Sequence, residues 1–181
     1  MRSTILRAVG PSADALVKCG AALPADSLPA KEAALARHGD GWVMFFEVER
    51  GDASLNATAT AASIGGAWTI GDDVLRPRPG HFGAWHLSPV AFLRAPDGAR
   101  ILIYNGATRD GRWQIGWCEL NESCTEVRTR PTEPLISAAR NSPEQREPAF
   151  GASAFANGEE LFVYYSIGDT DPARARLHWR R

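Results

Sequence analysis

The chain has 181 residues, enough for one domain with a sizeable core. Its 20 lysines and arginines nearly balance 21 aspartates and glutamates, so the formal net charge of −1 gives no sign of a nucleic-acid partner. No apolar run approaches the roughly 18 residues that a membrane-spanning helix needs, which excludes a predicted membrane span.

The cysteines indicate a reducing compartment. Cys19, Cys118 and Cys124 are an odd number without Cys-x-x-Cys spacing, which is typical of reduced thiols. Near the N-terminus, Pro11 and Lys18 interrupt any apolar region of a signal peptide. We therefore expect a cytoplasmic protein with no membrane partner.

In chain order, the first segments are the best helix candidates. These are residues 11–23 and 24–39, and Pro24 and Pro29 cut both. Beyond them, short apolar runs divided by Gly, Pro, Asp and Asn are typical of an all-β protein. The predicted strands are 42–49, 56–63, 90–95, 99–106, 113–120, 125–131, 151–156, 160–167 and 173–179.

Three segments of the chain align as repeats, namely 31–63, 87–120 and 146–179. Each has a strand, a Gly-containing turn, an apolar strand ending in aromatic residues, a polar turn and a strand of small residues. After the first two copies a fourth strand runs into a proline, within residues 68–77 and 126–137. Corresponding positions lie 56 and 59 residues apart. Four antiparallel strands per repeat predict a β-propeller blade. The alternative is a sandwich of unrelated hairpins, which need not repeat at a constant period.

The predicted fold class is all-β, a β-propeller with about three four-stranded blades over residues 31–181 and an N-terminal arm over 1–30. The third copy lacks a fourth strand, and residues 16–24 are a candidate to supply it. A closed propeller needs roughly four to eight blades, so we expect a homodimer of three-bladed halves. An open half-propeller docked on another protein is the alternative.

Two stretches of the chain resemble known enzymes. Residues 101–137, with Tyr-Asn-Gly, Trp-Gln-Ile-Gly-Trp and Pro-Leu-Ile, resemble a blade of the glycoside phosphorylases and hydrolases of family 130. Residues 148–177, with Tyr-Tyr-Ser-Ile-Gly-Asp, resemble their following blade, and both are more distantly similar to families 43, 32 and 68. The resemblance spans about residues 30–181 and implies a sugar-directed activity on a propeller that has five blades in those families.

The resemblance also assigns positions. Asn105 stands where family 130 has a phosphate-contacting His, and Asp169 falls on a matching acidic position. Lys31-Glu32-Ala33-Ala34 stands where the family has an acidic residue followed by Pro-Arg.

Candidate catalytic residues precede each predicted first strand. In a propeller these strands line the central channel, which brings Glu32, His86, Ser88, Arg146 and Glu147 towards one axis. Glycoside cleavage needs one carboxylic acid to protonate the leaving oxygen and a second carboxylate. We predict Glu147 as the acid and Glu32 as the second carboxylate. A salt bridge within the repeat is the alternative role for Glu147.

The segment 78–89 is the longest irregular stretch before a predicted first strand. Trp85 is a candidate stacking platform for a sugar, and His86 a candidate general base or anion contact. His81, Ser88, Asn105, Arg146 and Arg109 complete the predicted substrate-binding set. A histidine bonded to backbone and a solvated turn at Arg109 are the alternatives. Two histidines five residues apart without acidic neighbours do not predict a metal site, and we expect no metal and no cofactor.

The leading functional prediction is a carbohydrate-active, glycosidase-like protein that takes a small-molecule or oligosaccharide ligand. Two alternatives stay open. One is a propeller enzyme of another class, such as a cyclase or lyase acting on a small metabolite at a dimer channel. The other is a non-catalytic module that binds a sugar or a protein.

Overall fold

The structure, a computed structural model, describes residues 4–24, 29–137 and 148–179. Over these residues it is all-β apart from one 3-10 turn at Ala13–Ala15. The strands are β1 (Leu6–Val9), β2 (Val17–Ala21), β3 (Ala30–His38), β4 (Gly41–Arg50), β5 (Ala53–Ala61), β6 (Thr69–Leu75), β7 (His86–Arg94), β8 (Arg100–Ala107), β9 (Trp113–Leu120), β10 (Val127–Thr129), β11 (Ala149–Asn157), β12 (Glu160–Ile167) and β13 (Asp171–His178).

Each predicted repeat folds into one antiparallel meander. The first sheet has the order β3-β4-β5-β6, the second β10-β9-β8-β7, and the third β11-β12-β13 in the described residues. Gly39, Gly98 and Gly158 have φ values of 56°, 89° and 62°, and they close the hairpin between the first two strands of each sheet. The strand order expected within each repeat is therefore confirmed.

Alternation along the strands divides the apolar core into layers. Val43 and Phe45 of β4 face the second sheet and pack with Leu102 and Tyr104. The opposite face of the first sheet, with Met44 and other buried residues, forms a separate cluster. A third cluster, which includes Ile101, Ile103, Ile115, Leu161 and Val163, joins the second sheet to the third. The sheets thus pack face to face in chain order.

The N-terminal arm does not complete the third sheet. In the described residues β2 pairs with β1 in a two-stranded sheet, and β13 pairs only with β12. The arm instead packs on the first sheet, where Leu23 is 3% exposed and contacts the cluster around Met44. In the described residues of the single chain, residues 16–24 therefore do not pair with β13, and burial of Leu23 holds the segment at the other end of the stack. A closing strand supplied by this segment stays a prediction.

The first strands of the three sheets lie side by side, with β7 in contact with both β3 and β11. We call the end at which these three strands begin the mouth. Antiparallel pairing places the β4–β5, β8–β9 and β12–β13 turns at the same end.

Two further findings concern the chain as a whole. Cys19, Cys118 and Cys124 are free thiols, and the latter two are buried. Among the described residues, no helix is long and apolar enough to cross a membrane.

Candidate functional site

A polar cluster lies between the first and second sheets near the mouth. We call it the junction cluster; it consists of Lys31, Glu47, Ser54, Asn56 and His86. Glu47 and Asn56 are register partners on β4 and β5, so both side chains face the second sheet beside Ser54. Glu47 is the one polar residue of β4 between Val43 and Val48; the others are apolar.

Glu47 is the central group of the junction cluster and is only 3% exposed. Its Oε1 lies 3.3 Å from Nζ of Lys31, a side chain that is itself about half exposed. Burial raises the pKa of the Glu47 carboxyl above its ordinary value, and the neighbouring Glu32 adds to the rise, while Ser54 and Lys31 oppose it. A carboxyl held in this way can keep a proton that an exposed carboxyl would lose.

Asn56, beside Glu47, is fully buried. Neither its amide nitrogen Nδ2 nor its oxygen Oδ1 has a hydrogen-bond partner in the part of the chain that the structure describes. Buried amides are almost always hydrogen-bonded, since an unsatisfied one costs about 1–3 kcal/mol. Among the described residues, the two N–H donors and the acceptor oxygen of Asn56 are therefore unused, next to a carboxyl of raised pKa.

His86 connects the junction cluster to the aromatic residues of the second sheet. Its Nδ1 lies 3.0 Å from Oγ of Ser54, which also accepts a hydrogen bond from the Leu87 amide at 3.2 Å. The His86 ring contacts Trp85 and stacks towards Trp113 at 6.2 Å. Burial and then the charge of Lys31 lower the pKa of His86, so its ring is neutral at pH 7.

Trp85 and Arg109 tie the turns of the first two sheets together at the mouth. The indole Nε1 of Trp85 donates to the carbonyl of Asp52, and the Arg109 guanidinium lies 5.8 Å from the indole ring. Arg109 also pairs with Asp52 at 2.7 Å, and this hydrogen bond lowers the pKa of Asp52. The predicted stacking platform Trp85 therefore already contacts Arg109 and His86. A sugar that stacked on this ring would do so alongside both residues.

Asn105 and Ser88 lie between the second and third sheets. Asn105 is 1% exposed; its Oδ1 accepts from the Gly151 amide at 2.6 Å, and its Nδ2 donates to the Gly151 carbonyl at 3.1 Å. Nδ2 also lies 3.3 Å from Oγ of Ser88, which is fully buried. The amide is thus used inside the protein, as a clamp between two sheets.

His81 is held by backbone and by a neighbouring arginine. The Gly83 amide donates to its Nδ1 at 3.1 Å, which leaves Nε2 as the donor to the Pro131 carbonyl at 2.7 Å. Arg130 donates from Nε to the Tyr104 hydroxyl at 2.9 Å and approaches the same Nδ1 at 3.5 Å. Burial lowers the pKa of His81 and raises that of Tyr104 to about 12. These groups form a buried structural network.

Two further predicted residues, Glu32 and Asp169, lie at the mouth. Glu32 is exposed at a β-bulge of β3 and has a φ of 48°. Asp169 is exposed in the β12–β13 turn with a φ of 58°, and its Oδ1 lies 3.5 Å from Oγ of Ser166. Glu147 and Arg146 lie outside the described residues, so their predicted roles stay predictions.

The structure places His86 in the junction cluster, Glu32 near it, and His81, Ser88 and Asn105 in the interior. Sequence reasoning missed Glu47 and Asn56. The signal for Glu47 was a single carboxylate within the apolar run of β4. No group of three or more His, Cys, Asp or Glu side chains is placed to hold a metal ion within residues 4–24, 29–137 and 148–179.

The stack of antiparallel meanders is the fold of propeller glycosidases and glycoside phosphorylases. The chain superposes on β-1,2-mannobiose phosphorylase from Listeria innocua with a TM-score of 0.79 and 16% identity, covering 97% of this chain and 51% of the other. Two further structures match in the same way. They are a family 130 glycoside hydrolase that targets β-1,2-mannosidic linkages in Candida mannan (TM-score 0.77, 16% identity, 94% and 56% coverage) and a thermostable family-43 glycoside hydrolase (0.67, 13%, 90% and 56%).

These matches rest on structure, and at such identities they establish the fold alone. The chain spans about half the length of these enzymes. No protein-family model matches the sequence, and no curated protein matches it.

Proposed function

We propose that the chain is a carbohydrate-active protein of the glycoside hydrolase type, built as three propeller blades, that binds its sugar at the mouth. One observation carries the proposal. Glu47, a buried carboxyl of raised pKa, lies beside Asn56, a buried amide whose polar atoms both lack a partner among the described residues. A sugar hydroxyl can donate to Oδ1 and accept from Nδ2 of such an amide.

In this proposal Glu47 is the general acid. Its retained proton passes to the glycosidic oxygen as the bond to the anomeric carbon breaks, while a second carboxylate activates the attacking water. Glu32 is the candidate for that second role, because it is exposed at the mouth and close enough to affect the pKa of Glu47. Glu147, predicted from the sequence as the acid, is the competing candidate.

The hydrogen bonds of Asn105 to Gly151 favour hydrolysis over phosphorolysis as the proposed reaction. Asn105 occupies the position at which the resembled family contacts phosphate, and both ends of its amide are bonded to Gly151. No polar atom of this side chain is left for a phosphate ion. We therefore expect turnover that does not depend on added phosphate.

We further propose that a second copy of the chain closes the propeller. The outer face of the third sheet exposes Phe155 (46%) and Tyr164 (38%). At the other end of the stack, the arm exposes Leu6, Val9 and Val17. In a two-fold dimer the third sheet of each copy would pack against the arm of the other, which would bury both apolar surfaces.

The test uses the full chain and a panel of β-1,2-mannobiose and arabino-oligosaccharides, with and without inorganic phosphate. Binding is measured by calorimetry and products by chromatography. Glu47→Gln is expected to abolish turnover while the protein stays folded, and Glu119→Gln, on β9 away from the mouth, serves as the matched control. Glu147→Gln is assayed in parallel.

Each outcome separates the candidates. Loss of turnover in Glu147→Gln but not in Glu47→Gln would transfer the acid role to Glu147. Saturable binding without product over days would make the chain a sugar-binding module. If no sugar of the panel binds, the proposal is wrong, and an enzyme acting on a different small metabolite becomes the better hypothesis.

A further inference from the structure

A second polar site lies at the end of the first two sheets opposite the mouth. It is a groove of about 470 Å³ between the β3–β4 turn, the adjoining ends of β7 and β8, and the segment from the β9–β10 turn into β10. This volume falls within the range of small-molecule sites. The lining includes the charged and polar side chains of His38, Arg94, Arg100, Glu122, Ser123 and Arg128.

The groove concentrates positive charge in a chain whose net charge is −1. Arg94 and Arg100 are register partners on β7 and β8, so two guanidinium groups project from the same face of the sheet. Like charges at directly opposite positions destabilise a sheet. A third guanidinium, from Arg128, lines the same space.

Among the described residues, little neutralises the charge of these guanidinium groups. Glu122 is the one carboxylate among the described residues of the lining; it lies 3.4 Å from Arg100 and its side chain is 86% exposed. Such an exposed pair contributes little. Arg94 and Arg128 form no ion pair in the described part of the chain. The buried Nε of Arg100 has no hydrogen-bond partner there either.

His38, a further residue of the lining, lies within the field of these arginines. His38 lies 3.5 Å from Sγ of Cys124, between the first and second sheets. Burial lowers the pKa of His38, and the charges of Arg100 and Arg94 lower it further. The ring is therefore neutral at pH 7, and its hydrogen-bonding capacity is added to the three permanent cations.

We propose that this groove binds a phosphate group, held by charge-assisted hydrogen bonds from Arg94, Arg100 and Arg128. A planar guanidinium donates two parallel hydrogen bonds to phosphate oxygens, which matches three arginines around one small space. The phosphate can be free or carried by a small metabolite such as a sugar phosphate. The site is separate from the mouth and does not depend on the proposed sugar-directed function.

The test titrates the protein at low ionic strength with inorganic phosphate, with glucose 6-phosphate and with glucose, by calorimetry and amide chemical-shift mapping. Both phosphates are expected to bind saturably, with shifts at residues 38–39 and 121–123 and none at the mouth. Tighter binding of the sugar phosphate would identify a metabolite as the carrier, and equal affinity would indicate the free ion. Equal binding of glucose would overturn the proposal.

Variants make the test specific. Arg94→Gln and Arg128→Gln, both at exposed positions, are each expected to weaken phosphate binding about tenfold. Glu122→Gln removes the competing carboxylate and is expected to strengthen binding severalfold. Arg174→Gln, at an exposed position on β13 and outside both sites, is the matched control and is expected to leave binding unchanged. No saturable binding, or equal affinity in Arg94→Gln, Arg128→Gln and the control, would overturn the proposal.

Discussion

Asn105 shows how one side chain can hold two sheets together. Its amide pairs with both backbone groups of Gly151, as a neighbouring strand would. The pairing needs a glycine at position 151, because a Cβ there would lie 2.9 Å from Cγ2 of Val90 and 3.2 Å from Oδ1 of Asn105. The position that the family resemblance marks for phosphate contact is thus occupied by a structural residue.

Asn105→Ala is expected to destabilise the protein by about 2–3 kcal/mol, because it leaves the buried amide and carbonyl of Gly151 without partners. The free energy of unfolding is measured by urea denaturation. Asn157→Ala, at an exposed position at the end of β11, serves as control and is expected to change it by less than about 0.5 kcal/mol. Equal stability of the two variants would contradict the clamp.

Glu47 makes the stability of the fold depend on pH. The pKa of Glu47 is raised in the folded protein, so the folded state holds this proton more tightly than the unfolded chain does. The corresponding stability is fully present below the ordinary pKa of 4.5 and is lost as pH rises through the folded value.

Glu47→Gln removes this loss, because glutamine is neutral at every pH. The melting temperature of Glu47→Gln relative to the unmodified protein is therefore expected to rise between pH 4 and pH 8. Thermal denaturation across this range measures it, with Glu119→Gln as the control. A constant or falling difference would show that the carboxylate is well stabilised when ionised.

At the scale of elements, the arm β1–β2 covers a face of the first sheet that would otherwise be open. Leu23 is the buried contact, while Leu35 on β3 is 40% exposed. Leu23→Ala is expected to lower the free energy of unfolding by about 2–3 kcal/mol, and Leu35→Ala by less than about 1 kcal/mol. Urea denaturation compares the two. A negligible effect of Leu23→Ala would mean that the arm contributes little to the first sheet.

The sequence was sufficient to predict most strands of the repeats, since each apolar run is bounded by turn residues such as Gly98 or Gly158. The helix candidate over residues 24–39 was wrong, because Ala30–His38 pairs with the apolar strand β4 as strand β3. The sequence did not predict the partner of β2. Residues 17–21 show no clear alternation of apolar and polar side chains that would favour pairing with β13 over pairing with the nearby β1. The burial of Leu23 places the segment beside the first sheet, where it pairs with β1.

The candidate site was less predictable than the fold. The repeat pattern predicts site residues at the start of the first strand of each sheet, and Glu32 and His86 do lie near the mouth. However, Glu47 and Asn56 lie within the second and third strands of the first sheet, and only pairing in register brings them together. Nor does spacing show that Asn105 points at a backbone glycine 46 residues away.

At the scale of the whole molecule, the outer face of the third sheet carries an aromatic surface. Phe155 stacks on Phe162 at 5.1 Å and lies 6.1 Å from Tyr164, and the guanidinium of Arg174 lies 5.8 Å from the Phe162 ring. Contiguous exposed apolar surface of this kind marks an interaction site. It supports the proposed dimer.

The full chain is expected to have twice its 19.6 kDa mass in solution. Phe155→Asp is expected to shift it to a monomer, because a charge cannot be buried unpaired in the interface. Size-exclusion chromatography with light scattering measures the mass, and Ile64→Asp, in the exposed turn before β6, is the control. A monomeric unmodified protein, or a Phe155→Asp variant that stays dimeric, would rule out closure through this face.

Because the three apolar clusters are separate, the chain behaves as a linear array in which each sheet is stabilised by its immediate neighbours. Among the described residues, the third sheet has one such neighbour, and the cluster that joins them has the fewest buried side chains of the three and the most partly buried ones. Local unfolding is therefore expected to begin there, with separation of Asn105 from Gly151 as an early step. The bonds of one side chain, Asn105, would then set the order in which the sheets separate.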